Sequence, residues 1–87
     1  MTNPVALLVI DVQIGMFDGE QIPPVYNGPT LLTNTQRLLA QARHTATPIV
    51  FVQHMGHPGH PLEPGTPGWP LHPSLTPQTD EPIIQKT

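Results

Sequence analysis

The chain begins with an unbroken apolar run, Val5-Ala6-Leu7-Leu8-Val9-Ile10, closed by Asp11. Continuous rather than alternating apolarity predicts a strand buried on both faces, the pattern of a central parallel strand. Pro4 suits the start of such a strand. Residues 15–28, rich in glycine, proline and polar side chains, predict a loop. Leu31, Leu32, Thr35, Leu38, Leu39, Ala42 and Ala46 then recur at three- and four-residue steps and make one apolar stripe. Arg37, Gln41 and His44 fall off it. This spacing predicts a helix over about 29–45, with Gly28-Pro29 as its cap and first residue and Pro48 as its stop. Arg43 and His44 fall in the last turn, where cations favour the negative end of the helix dipole. A second apolar run, Pro48-Ile49-Val50-Phe51-Val52-Gln53, predicts a second strand. Strand, helix and strand in this order predict parallel strands joined by a right-handed crossover.

Beyond Met55 the pattern changes. Prolines at 58, 61, 64, 67, 70 and 73 fall on every third residue, and no helix survives that density. Residues 55–81 therefore predict a Pro/Gly/His-rich loop. Pro82-Ile83-Ile84-Gln85 predicts a short third strand leading into Lys86. The fold class expected is α/β: a three-layer Rossmann-like parallel sheet, here only its first three or so strands and one crossover helix. One helix leaves one face of such a sheet bare, whereas parallel sheets occur almost only with both faces covered. Residues 1–87 are accordingly expected to be the amino-terminal half of a larger α/β domain.

Composition narrows the function classes. Arg37, Arg43 and Lys86 are the only basic side chains besides histidine, against a formal net charge of −3. That is too few cations for phosphate neutralisation or attraction to an anionic leaflet, so neither nucleic acid nor membrane is expected as a partner. No apolar run approaches the roughly 20 residues of a membrane span, and no secretory leader is recognisable; a cytoplasmic location is expected. With no cysteine in the chain there is no disulfide, thiolate metal site or thiol nucleophile within it.

Two charged residues fall where an open α/β sheet binds its ligands, outside the carboxyl ends of the strands. Asp11 closes the first strand and can serve as a general base there or as a turn cap. Lys86, the single lysine, closes the third strand, so the two are expected on one rim. His54, His57 and His60 stand three apart and His72 follows. Histidine clusters can hold zinc, but prolines between these deny them helical spacing. Trp69, the sole tryptophan, offers an aromatic face to a planar substrate or an anchor for its loop. The prolines also spell P-x-x-P, which can form polyproline II and dock an SH3-like groove; the other reading is a stiff ordered loop.

Taken in order, these motifs resemble the isochorismatase-like superfamily of cysteine hydrolases, which includes the nicotinamidases. Ala6 to Gln13 followed by Gly15-Met16-Phe17 is similar to its first strand. Leu38 to Arg43 and Pro48 to His54 are similar to its next helix and strand. Pro64 to Trp69 with Leu71-His72-Pro73 is similar to its substrate-side loop. Glu81 to Lys86 is similar to its third strand and catalytic lysine. The resemblance implies Asp11 as the proton-handling carboxylate and Lys86 as the cation beside a thiolate. It implies Phe17, Trp69 and Gln13 at the substrate. The thiol itself would lie in a second half of about equal length. The implied substrate is a small carboxamide. Nicotinamidases carry an Asp-x-His metal motif after the second strand; His54 and Gly56 stand in those places here, with His72 at a later one, and no metal or other cofactor is expected. Ala46 stands where the superfamily has a glycine at the helix end.

This chain alone is expected to be inactive, as a half needing a complementing carboxyl-terminal half or assembling with itself. Two alternatives carry different expectations. One is a non-catalytic interaction module using the proline-rich loop or open sheet edge. The other is a relative that cleaves a vinyl ether and needs no cysteine.

Overall fold

In a computed structural model, which describes residues 5–87, the apolar runs form three strands and the stripe forms one helix. Strand β1 spans Leu7–Ile10, helix α1 Gly28–His44, β2 Ile49–His54 and β3 Ile83–Lys86. Single 3₁₀ turns occupy Ile14–Met16 and Pro73–Leu75. Pro4 lies outside the described residues. All strand pairs are parallel, in the order β1-β2-β3, with Ile10 beside Val52, Val52 beside Ile84, and His54 beside Lys86.

Strand alternation divides the sheet into two faces. Val9, Ile49 and Phe51 point to one face and pack with Leu39 and Ala42 of α1 and with Leu75. Phe51 is wholly buried at the centre of this core. Leu8, Ile10, Val50, Val52 and Ile84 share the other face, which no described element covers; Leu8, Ile10 and Ile84 are 55%, 51% and 54% exposed. Within the described residues β1 is thus buried on one face only, the bare second face expected of a sheet with a single helix. The strand flanked on either side is β2, and only one face has a helix upon it.

The helix differs from its predicted stripe in detail. The inward row is Leu32, Leu39 and Ala42, whereas Leu31 and Leu38 are 43% and 56% exposed. Each of these leucines precedes an inward residue by one position, and one residue is 100° of helix rotation. The cap is Asn27, with left-handed φ of 52°, and Gly28 and Pro29 are the first two helical residues. Gly28 is placed there by packing: a Cβ on it would stand 3.1 Å from the Phe17 ring. At the other end the Thr47 N–H donates to the Ala42 carbonyl (2.8 Å) and the Ala46 N–H to that of Arg43 (3.3 Å). This is a Schellman closure. It puts Ala46 at φ 55°, where a glycine would be unstrained.

The proline-rich segment is ordered by turns. The N–H of His60 donates to the carbonyl of His57, Glu63 to His60, Thr66 to Glu63, and Trp69 to Thr66. Each turn therefore ends where the next begins, and Pro58, Pro61, Pro64 and Pro67 each occupy the second position. Proline's fixed φ suits that position in type I and type II turns. Gly59 and Gly65, at φ 87° and 86°, supply the third position of the two type II members. The three-residue period is thus a spiral of β-turns. Its backbone is not the extended polyproline II helix that an SH3-like groove would take.

The spiral is pinned by glycine–glycine contact to the 3₁₀ turn that follows β1. Gly15 N–H donates to the Gly68 carbonyl (2.8 Å), and a Cβ on Gly68 would fall 2.5 Å from the Pro61 oxygen and 3.0 Å from the Gly15 Cα. A second pin holds β3. Arg43 of α1 meets Glu81 through Nε–Oε2 (2.8 Å) and Nη2–Oε1 (2.7 Å), while the Gln78 N–H also donates to Oε1 (2.8 Å). Two residues after Glu81, β3 starts.

Candidate active site

The carboxyl ends of the three strands bring Asp11, His54 and Lys86 together. Asp11 keeps its ladder bond, N–H to the Val52 carbonyl at 2.9 Å, but takes a left-handed φ of 58°. That conformation is uncommon for a non-glycine residue and is enriched in aspartate. It breaks the in-out alternation of β1, and the Asp11 carboxylate meets Lys86, which alternation places on the same face as Ile84. Lys86 Nζ lies 3.6 Å from Asp11 Oδ1 and 3.5 Å from His54 Nδ1. Both separations exceed the ~2.7–2.9 Å of a closed charge-assisted bond. The Asp11 and Lys86 side chains are 36% and 43% exposed, yet Asp11 Oδ1 itself is shut from solvent and accepts no hydrogen bond. A buried carboxylate oxygen without a donor is costly, a cost that folded proteins keep mainly where a group has work to do.

Gln13 is the floor of this rim. It is wholly buried. Its Oε1 accepts from the His54 N–H (2.8 Å), and its Nε2 donates to the carbonyls of Trp69 (2.7 Å) and His54 (3.2 Å). One side-chain amide therefore extends the strand ladder past the end of β1 and ties β2 to the turn spiral. Expected at the substrate, Gln13 has its whole amide committed to backbone. Gln53 adds a second bond to the Trp69 carbonyl (3.2 Å). Trp69 itself is half-buried, with an indole N–H that has no acceptor.

Phe17 stands apart from the pair. It lines a cleft of about 550 Å³ with Pro24, Val25, Leu32 and His72, to which neither Asp11 nor Lys86 contributes. Its ring meets that of His72 edge-on at 5.3 Å. Among the described residues no three His, Cys, Asp or Glu side chains stand together as a ligand set. His72 Nδ1 accepts from the Ser74 N–H (3.1 Å), and Gly56 has no side chain to offer. The residues present do not fit the nicotinamidase metal. Sequence reasoning missed His54 as a neighbour of Lys86. The signal was its place as the last residue of β2, level with the residue that ends β3.

The isochorismatase domain family matches residues 5–87. The chain belongs to that family. Three solved isochorismatase-family structures show how much of the fold is in hand. An assigned isochorismatase hydrolase from Oleispira antarctica is 32% identical with a TM-score of 0.85, over 99% of this chain and 49% of its own. An isochorismatase from Pseudomonas putida KT2440 is 30% identical with a TM-score of 0.78, over 99% and 46%. An isochorismatase-like hydrolase from Alkaliphilus metalliredigens is 34% identical with a TM-score of 0.73, over 93% and 47%. This isochorismatase-family chain thus spans about half the length of the structures it matches. No curated protein matches it. No described helix is long and apolar enough to cross a membrane.

Proposed function

We propose that this chain supplies the Asp11–Lys86 half of a hydrolase site that cleaves the C–N bond of a small carboxamide. The observation carrying this reading is the Lys86 ammonium 3.6 Å from an Asp11 carboxylate whose buried oxygen lacks a donor. A complementing carboxyl-terminal half would bring a thiol to the exposed part of this carboxylate. Asp11 takes its proton, and the Lys86 cation favours the resulting thiolate. The thiolate attacks the carboxamide carbonyl, Asp11 returns the proton to the departing ammonia or amine, and water cleaves the thioester. Backbone N–H groups beside the thiol would receive the oxyanion. The same half would cover Leu8, Ile10, Val50, Val52 and Ile84, since an apolar parallel-sheet face requires a second layer.

The test is ammonia release from a panel of small carboxamides, by the 87-residue chain alone and with a complementing half. Background rates alone, turnover on complementation and loss of that turnover in Asp11→Asn are expected. Turnover by the isolated chain, or full activity of the complemented Asp11→Asn protein, refutes the assignment. Cleavage of a vinyl ether with no carboxamide turnover would move the Asp11–Lys86 pair to a thiol-free reaction.

A further inference from the structure

The Lys86 ammonium is held at long range by two groups, and one of them, His54, belongs to a buttressed chain of contacts. His54 is directly beside Lys86 in the β2–β3 register. Its backbone is clamped on both sides by the Gln13 amide. Its ring faces that of His60 at a centroid distance of 5.2 Å. The His60 ring cannot drift: its Nδ1 accepts from the Leu62 N–H (2.9 Å), and it sits where a Cβ on Gly56 would come within 2.6 Å. His57 closes edge-on behind it at 5.2 Å. The turn spiral thus reaches the strand ends through two imidazoles, and the second presents Nδ1 to the ammonium at 3.5 Å.

We propose that His54 is a positioning residue, an imidazole acceptor that the turn spiral holds rigid so that the flexible Lys86 side chain stays on Asp11. A lysine carries a compact charge on four rotatable carbons and needs an external acceptor to fix its direction. With Nδ1 accepting, the neutral ring carries its proton on Nε2. The charged and titratable groups around the ring are Lys86 and His60, with Asp11 beyond Lys86 and His57 beyond His60. This proposal rests on the catalytic reading of Lys86, and its test separates the two.

Lys86 is the single lysine, so ¹³C-lysine labelling of the 87-residue chain gives one ε-methylene signal. Relaxation of that carbon reports whether the side chain is held. The wild-type Cε is expected to be ordered. Asparagine places its amide oxygen near the position of Nδ1 and glutamine nearer that of Nε2, whereas leucine has no acceptor. His54→Asn is therefore expected to keep the order, and His54→Leu and His54→Gln to lose it. A purely structural role for the ring would treat asparagine no better than leucine. A wild-type Cε as mobile as free lysine, or equal order in His54→Leu, overturns the proposal. So does equal loss in His54→Asn and His54→Leu. In the complemented hydrolase, His54→Leu is expected to lower kcat at least tenfold with little change in KM, and His54→Asn to restore most of it. Lost order with kcat unchanged would leave His54 as the positioner and remove Lys86 from catalysis.

Discussion

Replacing Glu81 with glutamine tests the pin that sets the start of β3. The pair is bidentate, at 2.7 and 2.8 Å, and Oε1 also accepts from the Gln78 N–H. Glu81 is nearly buried while the Arg43 side chain is 28% exposed. A buried pair broken on one side costs about 3–5 kcal/mol, and an exposed one at most about 1 kcal/mol. With Arg43 partly wet, the loss falls between, at about 2 kcal/mol, the usual cost of a hydrogen bond to a charged group. Glutamine keeps the size and one acceptor but turns an NH₂ group toward the guanidinium. The pH dependence has a definite sign. The Arg43 hydrogen bond, helped by the Gln78 N–H and opposed by burial, lowers the Glu81 carboxyl below its ordinary value of about 4.5. The unfolded chain therefore takes up the proton first as pH falls. The stabilisation is complete above about pH 4.5 and disappears as pH drops through the lowered folded value. Arg43 is shifted up, chiefly by the same bond, and its share is lost only in strong alkali. Urea unfolding followed by circular dichroism is the assay. With a slope of about 1 kcal/mol per molar urea, the Glu81→Gln midpoint should fall by about 2 M at pH 7. The gap to wild type should narrow steadily below about pH 4. Arg43→Met completes a double-mutant cycle and should show coupling of at least about 1 kcal/mol. An unchanged midpoint at pH 7, or a gap undiminished in acid, refutes the reasoning.

Three further substitutions probe the supports of the site. Ala46→Gly relieves a left-handed alanine, worth about 1–2 kcal/mol, against about 0.4–1 kcal/mol of added unfolded-state entropy; a net gain near 0.5 kcal/mol should raise the urea midpoint, and a fall would contradict the strain. Gly68→Ala drives a methyl onto the Pro61 carbonyl 2.5 Å away, so a loss of about 1–3 kcal/mol is expected, read as a red shift and lower unfolding midpoint of Trp69 fluorescence; an unperturbed midpoint would mean that the spiral is loosely seated. Gln13→Met keeps the volume but strands the His54 N–H and carbonyl and leaves the Trp69 carbonyl to Gln53 alone; it should cost about 2–3 kcal/mol and speed amide exchange at His54, whereas unaltered exchange would remove Gln13 from its bridging role.

Much of the fold was legible because it is local. Apolar runs of four to six residues and a three-four stripe specify strands and a helix through backbone sterics and periodicity alone. The rule that ligands gather at strand carboxyl ends then placed Asp11 and Lys86 on one rim. Leu31 and Leu38 were misassigned because a two-residue apolar pair spans 100° of helix and either member can face inward. The proline period was visible, but polyproline II and a turn spiral share it. The decision lies in four hydrogen bonds from residue i to i+3, with two glycines at positive φ.

By itself the sequence determined the strand-helix-strand order, the parallel pairing, and the lack of any thiol nucleophile within this chain. Tertiary structure decided which polar side chains stand at the candidate site and which tie the backbone around it. Gln13 reaches Trp69 across 56 positions, Arg43 reaches Glu81 across 38, and His54 meets Lys86 across 32. No local pattern encodes such pairs, because polar side chains lack the periodicity that burial imposes on apolar ones. Their partners are chosen by whichever unpaired group the packed sheet brings within reach, and that choice exists only once the strands are side by side.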